Sequence, residues 1–217
     1  MIRFDRVYKR YPNGREALSA ISFDIAAGEM VFLTGRSGAG KSSVLRLITL
    51  LERPTRGLVN VLGQDTQRVG VSKVPSFRRQ VGMVFQDHRL LGERSVFDNV
   101  ALPLVVAHTP LRETDKRVRA ALDQVGLLDR IQALPGELSV GEQQRIGIAR
   151  AIAPRPALIV ADEPTGNLDP QLSREILGLF CRLRDAGSTL VIASHDMALV
   201  NESGARQIHL DGGRVIP

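Results

Sequence analysis

A glycine-rich segment of the chain has the residue types and spacing of a phosphate-binding loop. Residues 35–42 read Gly-Arg-Ser-Gly-Ala-Gly-Lys-Ser, between an apolar run and a helical apolar pattern. Glycines let such a loop wrap closely around a polyphosphate, and backbone N–H groups at the following helix start favour its negative charge. The residues predicted to contact the nucleotide here are Gly35, Arg36, Ser37, Gly38, Ala39, Gly40, Lys41, Ser42 and Ser43.

The side chains around this loop suit ATP and Mg²⁺. Lys41 can bridge the β- and γ-phosphates, and the Ser42 hydroxyl can ligate Mg²⁺, which prefers oxygen ligands. Such a metal also needs a carboxylate at the end of a neighbouring strand, and the apolar run 157–161 ends in Asp162 and Glu163. We predict that Asp162 holds the metal through water and that Glu163 polarises a water for attack on the γ-phosphate.

A second helix start lies about a hundred residues later. Residues 138–145 read Leu-Ser-Val-Gly-Glu-Gln-Gln-Arg. Ser139 followed by Glu142 is a capping box, in which the hydroxyl accepts a backbone N–H and the carboxylate reaches back to the cap. Taken alone, this segment indicates only a capped helix.

Alternating and apolar runs predict the elements that position these residues. Residues 2–9 and 17–25 alternate like strands around a Pro-Asn-Gly turn, which predicts a hairpin that a third strand at 58–62 joins. Short apolar strands are expected at 30–34, 157–161 and 189–193, with helices at 42–51, 171–185, 111–125 and 141–153. Buried strands alternating with helices predict an α/β fold with a parallel sheet. The helical stretch 87–153 is expected to be an insertion in that core.

Composition limits the class of protein. The 217 residues are 43% hydrophobic and 24% charged, enough for one domain with a substantial core. Cys181 is the only cysteine, so the chain cannot form an internal disulfide, and a buried thiol is expected there. The net charge of +6 comes from arginines spread along the whole chain, which predicts a basic surface rather than a specific nucleic-acid site. No secretory signal is expected, because the first residues alternate between apolar and charged side chains. No membrane-spanning helix is expected either, since Pro103 interrupts the longest apolar stretch.

The order of these motifs resembles that of the ATP-binding subunits of ABC transporters over nearly the whole chain. The resemblance implies a single ABC ATPase domain, residues 1–217, with a P-loop NTPase, RecA-like core. The core would be formed by residues 1–86 together with residues 154–217, and the first of these segments would include an antiparallel β-subdomain. An α-helical subdomain, residues 87–153, would carry the 138–145 motif. It also implies a head-to-tail homodimer that sandwiches two ATP molecules. Ser139, Gly141 and Glu142 of one chain would then face the nucleotide held by the other.

The same resemblance implies roles for four further residues. Tyr11 matches the aromatic residue that stacks on adenine, and Gln86 matches the glutamine that senses Mg²⁺ and faces the membrane partner. Asp169 ends the loop that crosses between subunits, and His195 matches the switch histidine that contacts the γ-phosphate. The chain departs from the family pattern at Val140, where glycine is usual; valine is expected to be tolerated if that residue has helical dihedral angles.

Residues 86–91 and 96–104 are similar to those of the bacterial cell-division members of this family. That similarity implies an ATPase on the cytoplasmic face of the inner membrane, docked through the region from Gln86 to Val106 on a polytopic, permease-like protein. The ATPases of lipoprotein-release or macrolide-export transporters are an alternative, and a soluble ABC ATPase acting on nucleic acid is another. The apolar side chains that could form the dock, or could instead pack inside the helical insertion, are Leu90, Leu91, Val96, Phe97 and residues 100–106.

Overall fold

The computed structural model describes residues 1–216. The strands are β1 (Ile2–Arg10), β2 (Glu16–Ile25), β3 (Met30–Thr34), β4 (Arg56–Val61), β5 (Gln64–Asp65), β6 (Val81–Val84), β7 (Leu158–Asp162), β8 (Thr189–Ala193), β9 (Arg206–Asp211) and β10 (Arg214–Ile216). The α-helices are α1 (Lys41–Ile48), α2 (Val74–Arg78), α3 (Val96–Val106), α4 (Leu111–Gln124), α5 (Val140–Ile152), α6 (Pro170–Asp185) and α7 (Met197–Glu202). Short 3₁₀ turns lie at Val71–Lys73, Leu128–Arg130 and Pro135–Glu137.

The predicted amino-terminal hairpin is present in a small antiparallel sheet. Its strand order is β2-β1-β4-β5, so the third predicted strand pairs with β1. Gly14 has a φ of 84° in the hairpin turn, a conformation that glycine adopts without strain. On the buried side, the rings of Phe4 and Phe23 stack with centroids 4.5 Å apart. The alternation in the sequence therefore reflects one buried face.

The second sheet is mainly parallel and confirms the α/β architecture. Its order is β10-β9-β3-β8-β7-β6, and within this sheet the only antiparallel pair among the described strands joins β10 to β9. Every residue of β3 and β8 is buried, which explains their continuous apolar sequences. Because the carboxyl ends of parallel strands meet at one edge, the residues after β3, β6, β7 and β8 converge there.

Two apolar clusters cover this sheet. One lies between it and the antiparallel sheet and includes α1, and the other holds α3, α4, α5 and α6 against the opposite face. Helix α3 runs through Pro103 without ending, although proline removes a backbone donor inside a helix. No described helix is long and apolar enough to cross a bilayer. The proposed division at residues 87 and 153 stays a prediction.

Two local expectations were wrong. Helix α1 ends at Ile48 instead of Leu51, because Leu50 adopts a left-handed conformation with a φ of 55°. Cys181 is half-buried at the edge of the core rather than fully enclosed. The remaining predicted helices and strands occur within about one or two residues of their expected bounds, as is usual for element ends.

Candidate active site

The loop between β3 and α1 depends on three glycines. Gly35, Gly38 and Gly40 have φ values of 132°, 80° and 112°. A Cβ on Gly35 would lie 2.1 Å from the carbonyl oxygen of Leu210, and a Cβ on Gly40 would lie 2.8 Å from that of Ala17. No side chain caps the start of α1, so its first N–H groups are free of the usual capping partner. The loop thus offers backbone donors of the kind that bind phosphate.

Lys41 lies at the base of this loop with only 5% of its surface exposed. Its Nζ donates hydrogen bonds to the carbonyl oxygens of Gly35, at 2.7 Å, and Arg36, at 3.3 Å. The same atom lies 3.5 Å from Oε1 of Glu163. A carboxylate from the end of β7 therefore reaches the lysine of the predicted phosphate loop.

The loop forms one wall of a cavity of about 390 Å³. Tyr11 also lines this cavity, and its hydroxyl is 3.2 Å from that of Ser43. The lining residues are Tyr11, Asn13, Arg15, Ala17, Ser37, Gly38, Gly40, Lys41, Ser42, Ser43, Arg46 and Glu163. Tyr11 is thus placed where an aromatic ring can meet a base whose phosphates lie in the loop.

Asp162 and Ser42 bring two oxygen ligands together. The Ser42 hydroxyl donates a hydrogen bond to Oδ1 of Asp162 at 3.3 Å. Burial raises the pKa of Asp162, the hydrogen bond from Ser42 opposes that rise, and the neighbouring charge of Glu163 adds to it. A bound cation would offset the cost of this buried carboxylate. The Ser42 hydroxyl and the Asp162 carboxylate are oxygen donors, the type that Mg²⁺ prefers, and they would leave its remaining positions to waters and phosphate oxygens.

Glu163 lies at the junction of two cavities. Its φ is 48°, an uncommon left-handed conformation for a residue other than glycine, and its N–H donates to the carbonyl oxygen of Ala193 at 3.0 Å. Its Oε2 contacts Nδ1 of His195. The carboxylate lines both the phosphate-loop cavity and a second cavity of about 260 Å³ that also contains His195. The structure therefore brings Lys41, Glu163 and His195 together.

Gln86 is exposed two residues after β6 and lies near the loop that follows Glu163. A Cβ built on Gly166 would be 3.2 Å from Nε2 of Gln86 and 3.6 Å from Oε2 of Glu163. The structure thus brings Gln86 close to Glu163 at the end of β7, although Gln86 does not line the phosphate-loop cavity.

Ser139 caps α5 in the predicted capping box. Its hydroxyl accepts a hydrogen bond from the Glu142 N–H at 3.3 Å and donates to Oε2 of Glu142 at 2.7 Å, and its own N–H donates to the same oxygen at 2.9 Å. These bonds lower the pKa of Glu142. Ser139, Gly141 and Glu142 do not line the phosphate-loop cavity of their own chain. The two predicted nucleotide-binding segments are therefore not joined within one chain.

Val140 is the first residue of α5, is half exposed, and does not have a positive φ. Valine therefore fits the backbone at this position. At the neighbouring Gly141, a Cβ would lie 2.9 Å from Cδ1 of Leu172. A methyl group at position 141 would have to displace the end of the Leu172 side chain, so glycine at 141, rather than at 140, favours the close packing of α5 on α6.

Asp169 has a local structural role that the sequence interpretation did not include. It is the cap of α6, and its Oδ1 accepts hydrogen bonds from the N–H groups of Gln171 and Leu172 at 2.9 and 3.1 Å. Its predicted contact with the nucleotide of another chain stays a prediction.

Sequence reasoning missed a link between the loop after Gln86 and α5. His88, which was given no role, contacts Oε1 of the buried Gln144 through Nδ1 at 2.5 Å. Arg150 donates to the carbonyl oxygens of His88 and Arg89, both of which have left-handed φ values. Burial lowers the pKa of Arg150. No local pattern in the sequence points to this link, because His88 and Gln144 are 56 positions apart.

The structure divides the proposed docking side chains into two groups. Val96, Val100 and Leu104 are fully buried inside the helical layer, so for these three side chains the alternative of interior packing is confirmed and docking is excluded. In contrast, Leu91, Leu102, Val105 and Val106 are exposed. A groove of about 680 Å³ runs beside Leu102 and Val106, between α3 and the edge strand β6.

Comparison with known proteins agrees with this geometry. The family model described as ABC transporter matches residues 18–166. The chain is 50% identical over 215 residues to the cell division ATP-binding protein FtsE of Escherichia coli strain K12, covering 99% of this chain and 97% of that protein. It is 41% identical over 216 residues to FtsE of Bacillus subtilis, covering 100% and 95%.

A solved structure shares the whole fold. A dimeric ATP-binding cassette in a post-hydrolysis state, bound to ADP and phosphate, superposes with a TM-score of 0.90 at 34% identity, covering 100% of this chain and 97% of that one. The predicted P-loop NTPase architecture is thereby confirmed, as is the predicted ATPase activity. The chain belongs to the ABC transporter family of ATP-binding proteins.

Proposed function

We propose that this ATPase works as an Mg²⁺-dependent, head-to-tail homodimer that docks on the polytopic membrane protein FtsX and signals through it in cell division and cell-wall remodelling. The observation that carries the membrane role is the groove between α3 and β6, in a chain that is 50% identical to an FtsE.

In the proposed binding mode, ATP enters the cavity bounded by Tyr11 and the 35–42 loop. Tyr11 stacks on adenine, the loop N–H groups contact the phosphates, and Lys41 exchanges its bonds to loop carbonyls for bonds to the β- and γ-phosphates. Ser42, Asp162 and Gln86 would hold Mg²⁺, which would neutralise developing phosphate charge when bound. The convergence of Ser42 and Asp162 at 3.3 Å supports this assignment.

Glu163 is the proposed general base. Its carboxylate accepts a proton as a water oxygen attacks the γ-phosphorus, while the bond from that phosphorus to the β–γ bridging oxygen breaks and ADP leaves with the electron pair. His195, which contacts Glu163, holds the carboxylate and reaches toward the γ-phosphate. The enclosed position of Glu163, whose side chain is 19% exposed, supports a role in proton transfer.

The proposed dimer supplies the missing half of each site. Ser139, Gly141, Glu142 and Asp169 would approach the nucleotide held by the opposite chain, because they do not line the phosphate cavity of their own. The start of α5 carries a partial positive charge that suits a γ-phosphate. The dimeric state of the related ADP-bound cassette supports this arrangement.

The groove between β6 and α3 suits a partner of defined chemistry. Its apolar wall includes Met83, Phe85, Leu102 and Val106, whereas none of its described lining residues is acidic. Five arginines border it: Arg78, Arg79, Arg89, Arg117 and Arg150. A short amphipathic helix that carries acidic residues would match both the apolar wall and the positive rim. We assign this occupant to FtsX, which places the dimer on the cytoplasmic face of the bacterial inner membrane.

Copurification of the complex tests this assignment. Leu102→Glu introduces a carboxylate into the groove, and Leu128→Glu is a matched control because both leucines are 38% exposed and Leu128 lies outside the groove. Tagged chain is purified from detergent-solubilised membranes, and its partners are identified by mass spectrometry. We expect FtsX with the wild type and with Leu128→Glu, and its loss with Leu102→Glu while ATP binding persists.

The other outcomes each contradict the proposal. Recovery of a lipoprotein-release or macrolide-export permease instead of FtsX would assign the chain to a transporter. Salt-sensitive nucleic acid without any membrane protein would favour the nucleic-acid alternative. Equal recovery of FtsX with Leu102→Glu would place the dock elsewhere on the surface.

A further inference from the structure

A buried lysine lies behind the tyrosine of the nucleotide cavity. Lys9 is 7% exposed, and its Nζ lies 5.0 Å from the centroid of the Tyr11 ring. The same Nζ donates hydrogen bonds to Oε2 of Glu52 at 2.8 Å and to the carbonyl oxygen of Arg53 at 3.0 Å. The ammonium is therefore held at a fixed position relative to the ring.

The two faces of the ring have different surroundings. Tyr11 lines the phosphate-loop cavity, whereas Lys9 and Glu52 do not. Nζ of Lys9 therefore lies over one face of the ring without entering the cavity, and it leaves the cavity-lining part of the ring available. The hydroxyl of Tyr11, 3.2 Å from that of Ser43, fixes the far end of the ring against α1.

We propose that Lys9, anchored by Glu52, is a positioning residue for recognition of the nucleotide base. This inference rests on the stacking role assigned to Tyr11 above. The ammonium fixes the plane of the Tyr11 ring from behind, so that its open face is ready for the base before ATP arrives. Lys9 itself contacts neither the base nor the phosphates.

The energetic consequence is specific to the base. A cation over an aromatic ring is attracted by the negative face of the ring, most strongly where both groups are desolvated. A ring that is already ordered loses less conformational entropy when a base stacks on it. Phosphate binding by the loop does not use this ring, so a ligand with phosphates but no base should be insensitive to Lys9.

The test compares ATP with inorganic tripolyphosphate by isothermal titration calorimetry, both in the presence of Mg²⁺. Lys9→Met keeps the apolar stem but removes the cation, and Lys9→Arg keeps a cation that can pair with Glu52. We expect Lys9→Met to weaken ATP binding about two- to thirtyfold, the range from an exposed to a desolvated cation–π contact, with tripolyphosphate binding unchanged. Lys9→Arg should restore most of the ATP affinity.

Further variants separate this inference from the proposed function. Tyr11→Ala should also weaken ATP binding without affecting tripolyphosphate, and the double variant Lys9→Met, Tyr11→Ala should bind ATP no more weakly than Tyr11→Ala alone. If Tyr11→Ala changes neither ligand, the stacking assignment itself fails. If Tyr11→Ala weakens ATP selectively but Lys9→Met does not, or weakens both ligands equally, only the role of Lys9 is overturned.

A second measurement remains informative if Lys9→Met does not fold. Glu52→Gln removes the charge that anchors Lys9 and should give a smaller selective loss of ATP affinity; an equal loss for both ligands would contradict the inference. The chain has two tyrosines and no tryptophan, so in a Tyr8→Phe background tyrosine emission reports on Tyr11 alone. ATP should quench that emission, and tripolyphosphate should not.

Discussion

Nζ of Lys41 lies 3.5 Å from Oε1 of Glu163, so the proposed phosphate-binding cation and the proposed base form an ion pair. Both side chains are largely enclosed, which strengthens their interaction relative to a surface pair. A γ-phosphate entering the loop competes with Glu163 for the same ammonium. Binding of ATP should therefore release the carboxylate toward a water, which couples occupancy of the site to activation of the base.

Lys41→Ala should weaken ATP binding by about 10- to 100-fold, because it removes charge-assisted hydrogen bonds to the phosphates. Calorimetric titration with ATP measures this loss. Lys73→Ala is the control, since Lys73 is exposed on a 3₁₀ turn outside the cavity. Unchanged affinity in Lys41→Ala would remove the central assignment of the phosphate loop.

Glu163→Gln should lower ATP turnover by about 10²- to 10⁴-fold while leaving ATP bound, since an amide cannot accept the proton from the attacking water. The variant should accumulate as an ATP-bound dimer, which light scattering after size-exclusion chromatography detects. Glu202→Gln, in an exposed pair with Arg174, is the matched control. A Glu163→Gln chain that binds ATP yet stays monomeric would contradict the proposed sandwich.

Asp162 should make the nucleotide-free protein less stable as the pH rises. Because burial raises the pKa of Asp162 in the folded protein, protonation of its carboxyl group stabilises the fold. This stabilisation is complete below the ordinary aspartate pKa and is lost as the pH rises through the raised pKa. Asp162→Asn should therefore raise the Tm at neutral pH more than at acid pH, while it lowers Mg²⁺-dependent turnover by about 100-fold. Thermal unfolding in chelator across pH 3 to 8, with the exposed Asp129→Asn as control, measures the difference. A Tm difference independent of pH would be inconsistent with this reasoning.

Substitution should destabilise the protein less at position 140 than at the neighbouring position 141. Val140→Gly should reduce the free energy of unfolding by no more than about 1 kcal/mol and leave turnover within about twofold. Gly141→Ala should cost about 1–2 kcal/mol, because displacement of the Leu172 side-chain end from the α5–α6 contact outweighs the higher helix propensity of alanine. Urea unfolding and ATPase assays on both variants test this order, and a larger effect at 140 would reverse the assignment.

Arg150→Lys should loosen the loop that follows Gln86. A single ammonium cannot reproduce the fork that binds the carbonyl oxygens of His88 and Arg89, so we expect a loss of about 1–3 kcal/mol and faster amide exchange in residues 86–91. Arg182→Lys, at an exposed position of α6, is the control. Amide exchange unchanged in residues 86–91 would show that the fork does not hold this loop.

Strands with a regular pattern of apolar residues could be predicted from the sequence. Local conformations and contacts that depend on residues far apart in the chain could not. The alternation of β1 and β2 and the apolar runs of β3, β7 and β8 follow directly from burial of one or two faces. In contrast, Leu50 ends α1 through a backbone conformation that its residue type disfavours. The contact of His88 with Gln144 likewise joins residues 56 positions apart, which no local pattern encodes.

The same distinction separates the residues of the candidate site that could be predicted from those that could not. The phosphate loop and the Asp162–Glu163 strand end were predicted from residue types because their chemistry restricts those types. The pairing of Lys9 with Tyr11 was not, since it depends on Glu52 and Arg53 approaching from another part of the chain. Gln86 was predicted by resemblance, but its proximity to Gly166 required the fold.

The position of β6 gives the sheet an uneven mechanical stiffness. β3, which leads into the phosphate loop, is bonded on both sides, to β8 and β9, whereas β6 forms one edge of the sheet and is bonded to β7. A load applied to the groove beside β6 meets one ladder of hydrogen bonds, and displacement of the phosphate loop must strain two. The protein is thus compliant where a partner would pull and rigid where phosphate would bind, so we expect force to move Gln86 before it disturbs Lys41.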